Sequence, residues 1–140
     1  MRDSGAGVKR FLVVENEPAI REVCLRVLTR EGFDVVAVSG EVAWDMLEEK
    51  EYDLCLIDIG RPAVNGKELY QFISEKHPGL IDRVIFTSGD VMSGDTQSFL
   101  EQTARPFLLK PFAPEQLKTI VRQTLWQIEN EYQTRKNTDS

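Results

Sequence analysis

The chain has 140 residues, 41% of them apolar and 29% charged, with a formal net charge of -6 and an isoelectric point near 4.9. That length suits one domain able to bury a core without disulfide or metal staples. The negative balance argues against a nucleic-acid backbone or an anionic membrane surface as the partner of the domain as a whole. No apolar run reaches the length of a membrane span, and the opening MRDSGAGVKR lacks the apolar centre of a signal peptide. Cys24 and Cys55 form no CxxC and sit inside apolar stretches, the pattern of reduced core thiols in a cytoplasmic protein.

Taken in chain order, Phe11 to Glu15 reads as a short buried strand. Pro18 then stands at a first helical position, and Ile20, Val23, Cys24, Val27 and Leu28 form an apolar stripe closed by Gly32. FDVVAV (33–38) predicts a second strand, followed by a helix carrying Val42, Ala43, Met46 and Leu47. YDLCLID (52–58) predicts a third strand, and a helix follows from about Lys67, with Leu69, Phe72 and Ile73 inward, ending at His77-Pro78-Gly79. RVIFTS (83–88) is a fourth strand, the stretch 90–104 a helix of weak apolar periodicity, and PFLL (106–109) a fifth strand. Pro114 opens a last helix with Leu117, Ile120, Val121, Leu125 and Ile128 on one side. Five βα units whose strands lack clean alternation predict a parallel sheet covered on both faces. The domain is expected over 9–132, with 1–8 and 133–140 as unstructured tails.

In a parallel sheet all strand C-termini lie on one edge, where ligands bind. Glu15 and Asn16 follow the first strand, Asp58 the third, Thr87 and Ser88 end the fourth, and Lys110 follows the fifth. Any one of these alone would be an ordinary polar strand end; their coincidence at four termini marks a site. Clustered oxygen ligands suit Mg²⁺, which takes one or two carboxylates and keeps several waters. A hydroxyl and a lysine beside them can hold the oxygens of a phosphoryl group. There is no Gly-rich phosphate loop, so a nucleotide is not the obvious ligand.

At these residues the chain resembles the response-regulator receiver domains of two-component signalling, from about Arg10 to Leu125. The pieces are FLVVENEP, YDLCLIDIGRPAVNGKEL, VIFTSGD and FLLKPF, specific as an ordered set though weak singly. The resemblance implies a flavodoxin-like fold with strand order 2-1-3-4-5. It implies that Asp58 takes a phosphoryl group from the phosphohistidine of a histidine kinase or histidine phosphotransfer protein, and that the domain is a regulatory phosphoacceptor rather than an enzyme. Mg²⁺ would be held by Glu15, Asn16, Asp58 and the backbone carbonyl of Gly60. Thr87 would bond the phosphoryl group, Lys110 would pair with it, and Phe107 would occupy the aromatic switch position. Lys110-Pro111 would be a cis peptide.

One position departs from the pattern: the second acid after the first strand is replaced by Asn16. An amide oxygen can ligate but brings no charge, so weaker Mg²⁺ binding is expected. Glu17 stands next, where it could either compensate or cap the helix that follows. A receiver-shaped interaction module that works without phosphorylation is the competing reading. A haloacid-dehalogenase-type enzyme would need a second Asp where Gly60 stands, and a flavodoxin would need a phosphate loop where ENEPAI stands. Gly60 and Gly89 would flank the phosphoryl group without side chains to shield it. His77 is expected at the surface without a phosphotransfer role. Trp126 lies off the apolar stripe of the last helix, a hint of self-association or an output partner there. The FTSGD…FLEQ…PFLLKPF wording resembles receivers attached to hybrid histidine kinases.

Overall fold

A computed structural model describes residues 7–59, 66–89 and 94–139, with side chains through residue 133. In these residues the chain alternates strand and helix: β1 Arg10–Val14, α1 Pro18–Arg30, β2 Asp34–Val38, α2 Gly40–Glu49, β3 Leu54–Asp58 and α3 Gly66–Lys76. A 3₁₀ turn over Pro78–Arg83, not anticipated from the sequence, leads into β4 Val84–Ser88, then α4 Gly94–Thr103, β5 Phe107–Leu109 and α5 Pro114–Asp139. The five strands form one all-parallel sheet in the order β2-β1-β3-β4-β5.

Each element follows from local chemistry. Pro18 is the first residue of α1, where its missing N–H costs nothing. The same helix ends in a Schellman arrangement, with Phe33 N–H donating to the Leu28 carbonyl and Gly32 N–H to that of Thr29. Gly32 has φ of 101°, a conformation a side chain would strain. The last helix runs to Asp139, through the segment 133–139 expected to be a tail. EYQTRKNTD contains no Gly or Pro to stop a helix already nucleated by its buried half. Of the expected N-terminal tail, residues 1–6 lie outside the described residues.

Alternate residues of the central strands point to opposite faces, so one sheet carries two cores. Leu12, Val14, Cys55, Ile57, Val84 and Phe86 pack with Ala43 and Leu47 of α2 and Leu69 and Ile73 of α3. Phe11, Val13, Leu54, Leu56, Ile85 and Leu108 pack with Cys24 and Leu28 of α1 and Leu117 and Val121 of α5. The first face also takes rings: Trp44 meets Phe72 edge-on at 4.8 Å, and Tyr70, Phe86 and Phe99 form a triangle with centroids 5.1–5.8 Å apart. Through Phe99 and Leu100, α4 rests on this face, yet it contributes no fully buried residue.

Candidate functional site

The strand register builds the site. Val13 pairs with Leu56, and Leu56 with Ile85, in one apolar row on the α1/α5 face. Two residues further along each strand the same row becomes Glu15, Asp58 and Thr87, with Thr87 the register partner of both Asp58 and Leu108. Lys110 follows Leu108 by the same step of two. The polar cluster is therefore the last layer of an apolar face, reached where the strands run out.

The layer is buried: Glu15 is 2%, Asp58 4% and Thr87 1% exposed. Lys110 reaches across it. Its Nζ lies 2.8 Å from a Glu15 oxygen, 3.1 Å from Asp58 Oδ2 and 3.7 Å from Glu17 Oε2. Glu17 N–H donates to Glu15 Oε2 at 3.0 Å. Burial pushes the Glu15 carboxyl above its ordinary value, and the nearby charge of Asp58 adds to the shift; the bonds from Lys110 and Glu17 N–H oppose it without cancelling it. Burial alone would lower Lys110, but hydrogen bonds and charges from Glu15 and Asp58 outweigh it and raise the ammonium instead.

One residue absent from the sequence reading, Arg21, shapes the loop after β1. Arg21 Nη1 donates to the Glu15 carbonyl at 2.8 Å and to that of Asn16 at 3.4 Å, fixing the backbone that presents both side chains. A cation so near a helix N-terminus opposes the helix dipole, and that was its only signal in the sequence. Asn16, expected as a metal ligand, accepts Gly40 N–H on Oδ1 at 3.3 Å, so its oxygen is engaged at the start of α2. Its Nδ2 is enclosed with no hydrogen-bond partner among the described residues.

The other expected positions fall as follows. Lys110-Pro111 is cis. Phe107 sits on β5 opposite Phe86 and is 40% exposed. Gly60 lies outside the described residues, so its carbonyl is not placed. Among the described residues, a Cβ at Gly89 would meet only Lys110 Cβ, at 3.9 Å. At Gly66, in contrast, a Cβ would come 2.8 Å from the Asp58 carbonyl oxygen, so the start of α3 is pressed against the end of β3. Trp126 is 65% exposed, as its place off the stripe implied. His77 is partly buried beside the Phe72 ring. Cys24 and Cys55 are free and buried, the Cys24 thiol pushed up to about 12 by burial and by the charge of Glu15.

The donor set suits a divalent cation. Glu15 and Asp58 share one ammonium with Glu17, leaving an excess of negative charge in a layer that burial already penalises. Among the described residues no three His, Cys, Asp or Glu side chains form a metal cage by themselves.

Comparison with known proteins agrees with this geometry. The profile of the response regulator receiver domain matches residues 11–122. The response regulator Rre1 of Synechocystis is 34% identical over 117 residues, covering 82% of this chain and 51% of its own. The chain thus spans about half the length of that relative. The crystal structure of a CheY-like response regulator receiver domain protein from Methanospirillum hungatei superposes with a TM-score of 0.79 at 25% identity, covering 89% of this chain and 99% of that one. Response regulator protein TrrA of Thermotoga maritima, solved in complex with Mg²⁺ and BeF, gives a TM-score of 0.69 at 29% identity over 83% of this chain and 98% of that one. The fold is the flavodoxin-like receiver fold, and the chain belongs to the response regulator receiver family of two-component signalling. None of its described helices is long and apolar enough to cross a membrane.

Proposed function

We propose that Asp58 accepts a phosphoryl group from the phosphohistidine of a histidine kinase or histidine phosphotransfer protein, in a Mg²⁺-dependent reaction. The observation that carries this is the shared ammonium: Lys110 lies 3.1 Å from Asp58 and 2.8 Å from Glu15 in a layer closed by Thr87. A carboxylate nucleophile has no proton to give up in the attack and so needs no general base. An Asp58 oxygen attacks phosphorus, the P–N bond to histidine breaks, and the imidazole nitrogen leaves with the electron pair. Lys110 exchanges part of its contact with Asp58 for a phosphoryl oxygen, and the Thr87 hydroxyl donates to another. Mg²⁺, held by Glu15 and Asp58, would offset charge on the phosphoryl oxygens. The bound ligands of the Thermotoga relative support this assignment.

In this reading the domain, residues 9–132, is a cytoplasmic switch rather than an enzyme, and Thr87 and Phe107 relay the change to a partner surface. A second reading, an interaction module that works unphosphorylated, draws on the engagement of Asn16 by α2. One experiment separates the two. Incubation with an acyl phosphate and Mg²⁺ should add a single phosphoryl mass, absent without the metal and absent in Asp58→Ala. No adduct at any donor concentration, or one that persists in Asp58→Ala, rejects the first reading.

A further inference from the structure

We propose that Glu17 supplies the acidic charge missing at Asn16, acting on the bound cation through its water shell, while Asn16 serves α2 instead. The inference rests on the Mg²⁺-dependent reading above. It starts from the division of labour in the loop between β1 and α1, where three consecutive polar side chains go three ways.

Glu15 faces Lys110 from the buried side. Asn16 turns to α2, and its orientation there is fixed by chemistry. Turning the amide over would set its NH₂ group against the Gly40 N–H, donor to donor. The bond matters to α2, because the helix's own N-cap residue, Ser39, makes no side-chain cap bond. Asn16 is thus a cap supplied from another loop.

Glu17 is the reverse case. By position it is the N-cap of α1, with extended φ and ψ of -85° and 115°, yet its side chain makes no cap bond. Its carboxylate lies instead 3.7 Å from Lys110 Nζ. The backbone holds it there: its N–H is bound to Glu15 Oε2, and Arg21 grips the Glu15 and Asn16 carbonyls. The side chain is 64% exposed, at the solvent edge of the site. A carboxylate at that edge is placed to accept hydrogen bonds from water on the cation, and Mg²⁺ retains several waters in protein sites. It restores the count to three acidic groups around one lysine, with the third outside direct contact.

The test is calorimetric titration of Mg²⁺ into the unphosphorylated protein at low ionic strength. Glu17→Gln, an exposed isosteric change, should weaken binding about fivefold, equivalent to about 1 kcal/mol. Glu17→Asp, which keeps the charge on a shorter arm, should recover most of the loss. Asn16→Ala should lower Tm through the lost cap yet weaken Mg²⁺ binding less than Glu17→Gln does. Equal affinities for the parent and Glu17→Gln overturn the inference and leave a cation held by Glu15 and Asp58. A larger loss in Asn16→Ala than in Glu17→Gln overturns it in favour of Asn16 as ligand. No Mg²⁺ binding by the parent at tens of millimolar overturns both this inference and the metal-dependent reading beneath it.

Discussion

The two faces of the sheet are packed by different means. The α1/α5 face is largely aliphatic, with Cys24, Leu28, Leu117 and Val121 fully enclosed and Arg122 of α5 paired at 2.8 Å to Glu31, the C-cap residue of α1. The opposite face is rich in rings, and its outermost helix, α4, is held by Phe99 and Leu100 without one fully buried residue. Burial of aliphatic area gives the first face its stability. Sparse burial is what locally weak elements have in common, so α4 is expected to open more readily than α1 or α5. It lies next in the chain to β4, which carries Thr87, and to β5, which carries the half-exposed Phe107. The site is thus anchored by one face and adjoined by a loosely held element on the other.

The largest expected effect probes that asymmetry directly. Leu117→Ala should cost about 3 kcal/mol in urea unfolding, and Phe99→Ala only about 1 kcal/mol, since the first empties a closed core and the second an edge. Hydrogen exchange should place the α4 amides below those of α1 and α5 in protection. Equal losses in the two variants would break the comparison.

A smaller change tests where the apolar face meets the polar layer. The folded-state pKa of Glu15 is raised, mainly by burial. Such a group favours folding below its unfolded value, and that contribution is lost as pH rises through the folded value. At neutral pH its charge is therefore a cost, and Glu15→Gln should stabilise the protein at pH 7 by about 1 kcal/mol, as substitutions at functional sites often do. Thermal melts at pH 4 and pH 7 check this: the gain should shrink at the acid end, and a loss of stability at pH 7 would show that the Lys110 contact outweighs burial.

The smallest effect concerns the tie between α1 and α5. The Arg122 side chain is 63% exposed, so Arg122→Ala should cost at most about 0.5 kcal/mol, and less in high salt. A larger, salt-insensitive loss would mean that its aliphatic stem contributes to the packing of that face.

Much of this architecture was legible from alternating periodicity, because each strand and helix carries its own apolar pattern and punctuation. Pro18, Gly32 and Pro114 mark element ends by their backbone chemistry, and the boundaries there hold to the residue or nearly so. The run of α5 to Asp139 was missed, because a polar helical extension has no apolar face to announce it. The candidate site was legible as positions at strand ends, but not as directions. Whether Asn16 faces Lys110 or α2, and whether Glu17 caps its helix, depends on contacts with Gly40 and Lys110, residues 24 and 93 positions away in sequence. No local pattern encodes those distances.

The close approach at Gly66 has a mechanical meaning. With no side chain between them, the first turn of α3 bears directly on the carbonyl that ends β3, in the residue that also carries the Asp58 carboxylate. Backbone displacement at Asp58 has no slack to absorb it on that side, so the strand end and the helix start must travel together. A methyl at residue 66 would act as a wedge, forcing the end of β3 and the start of α3 apart.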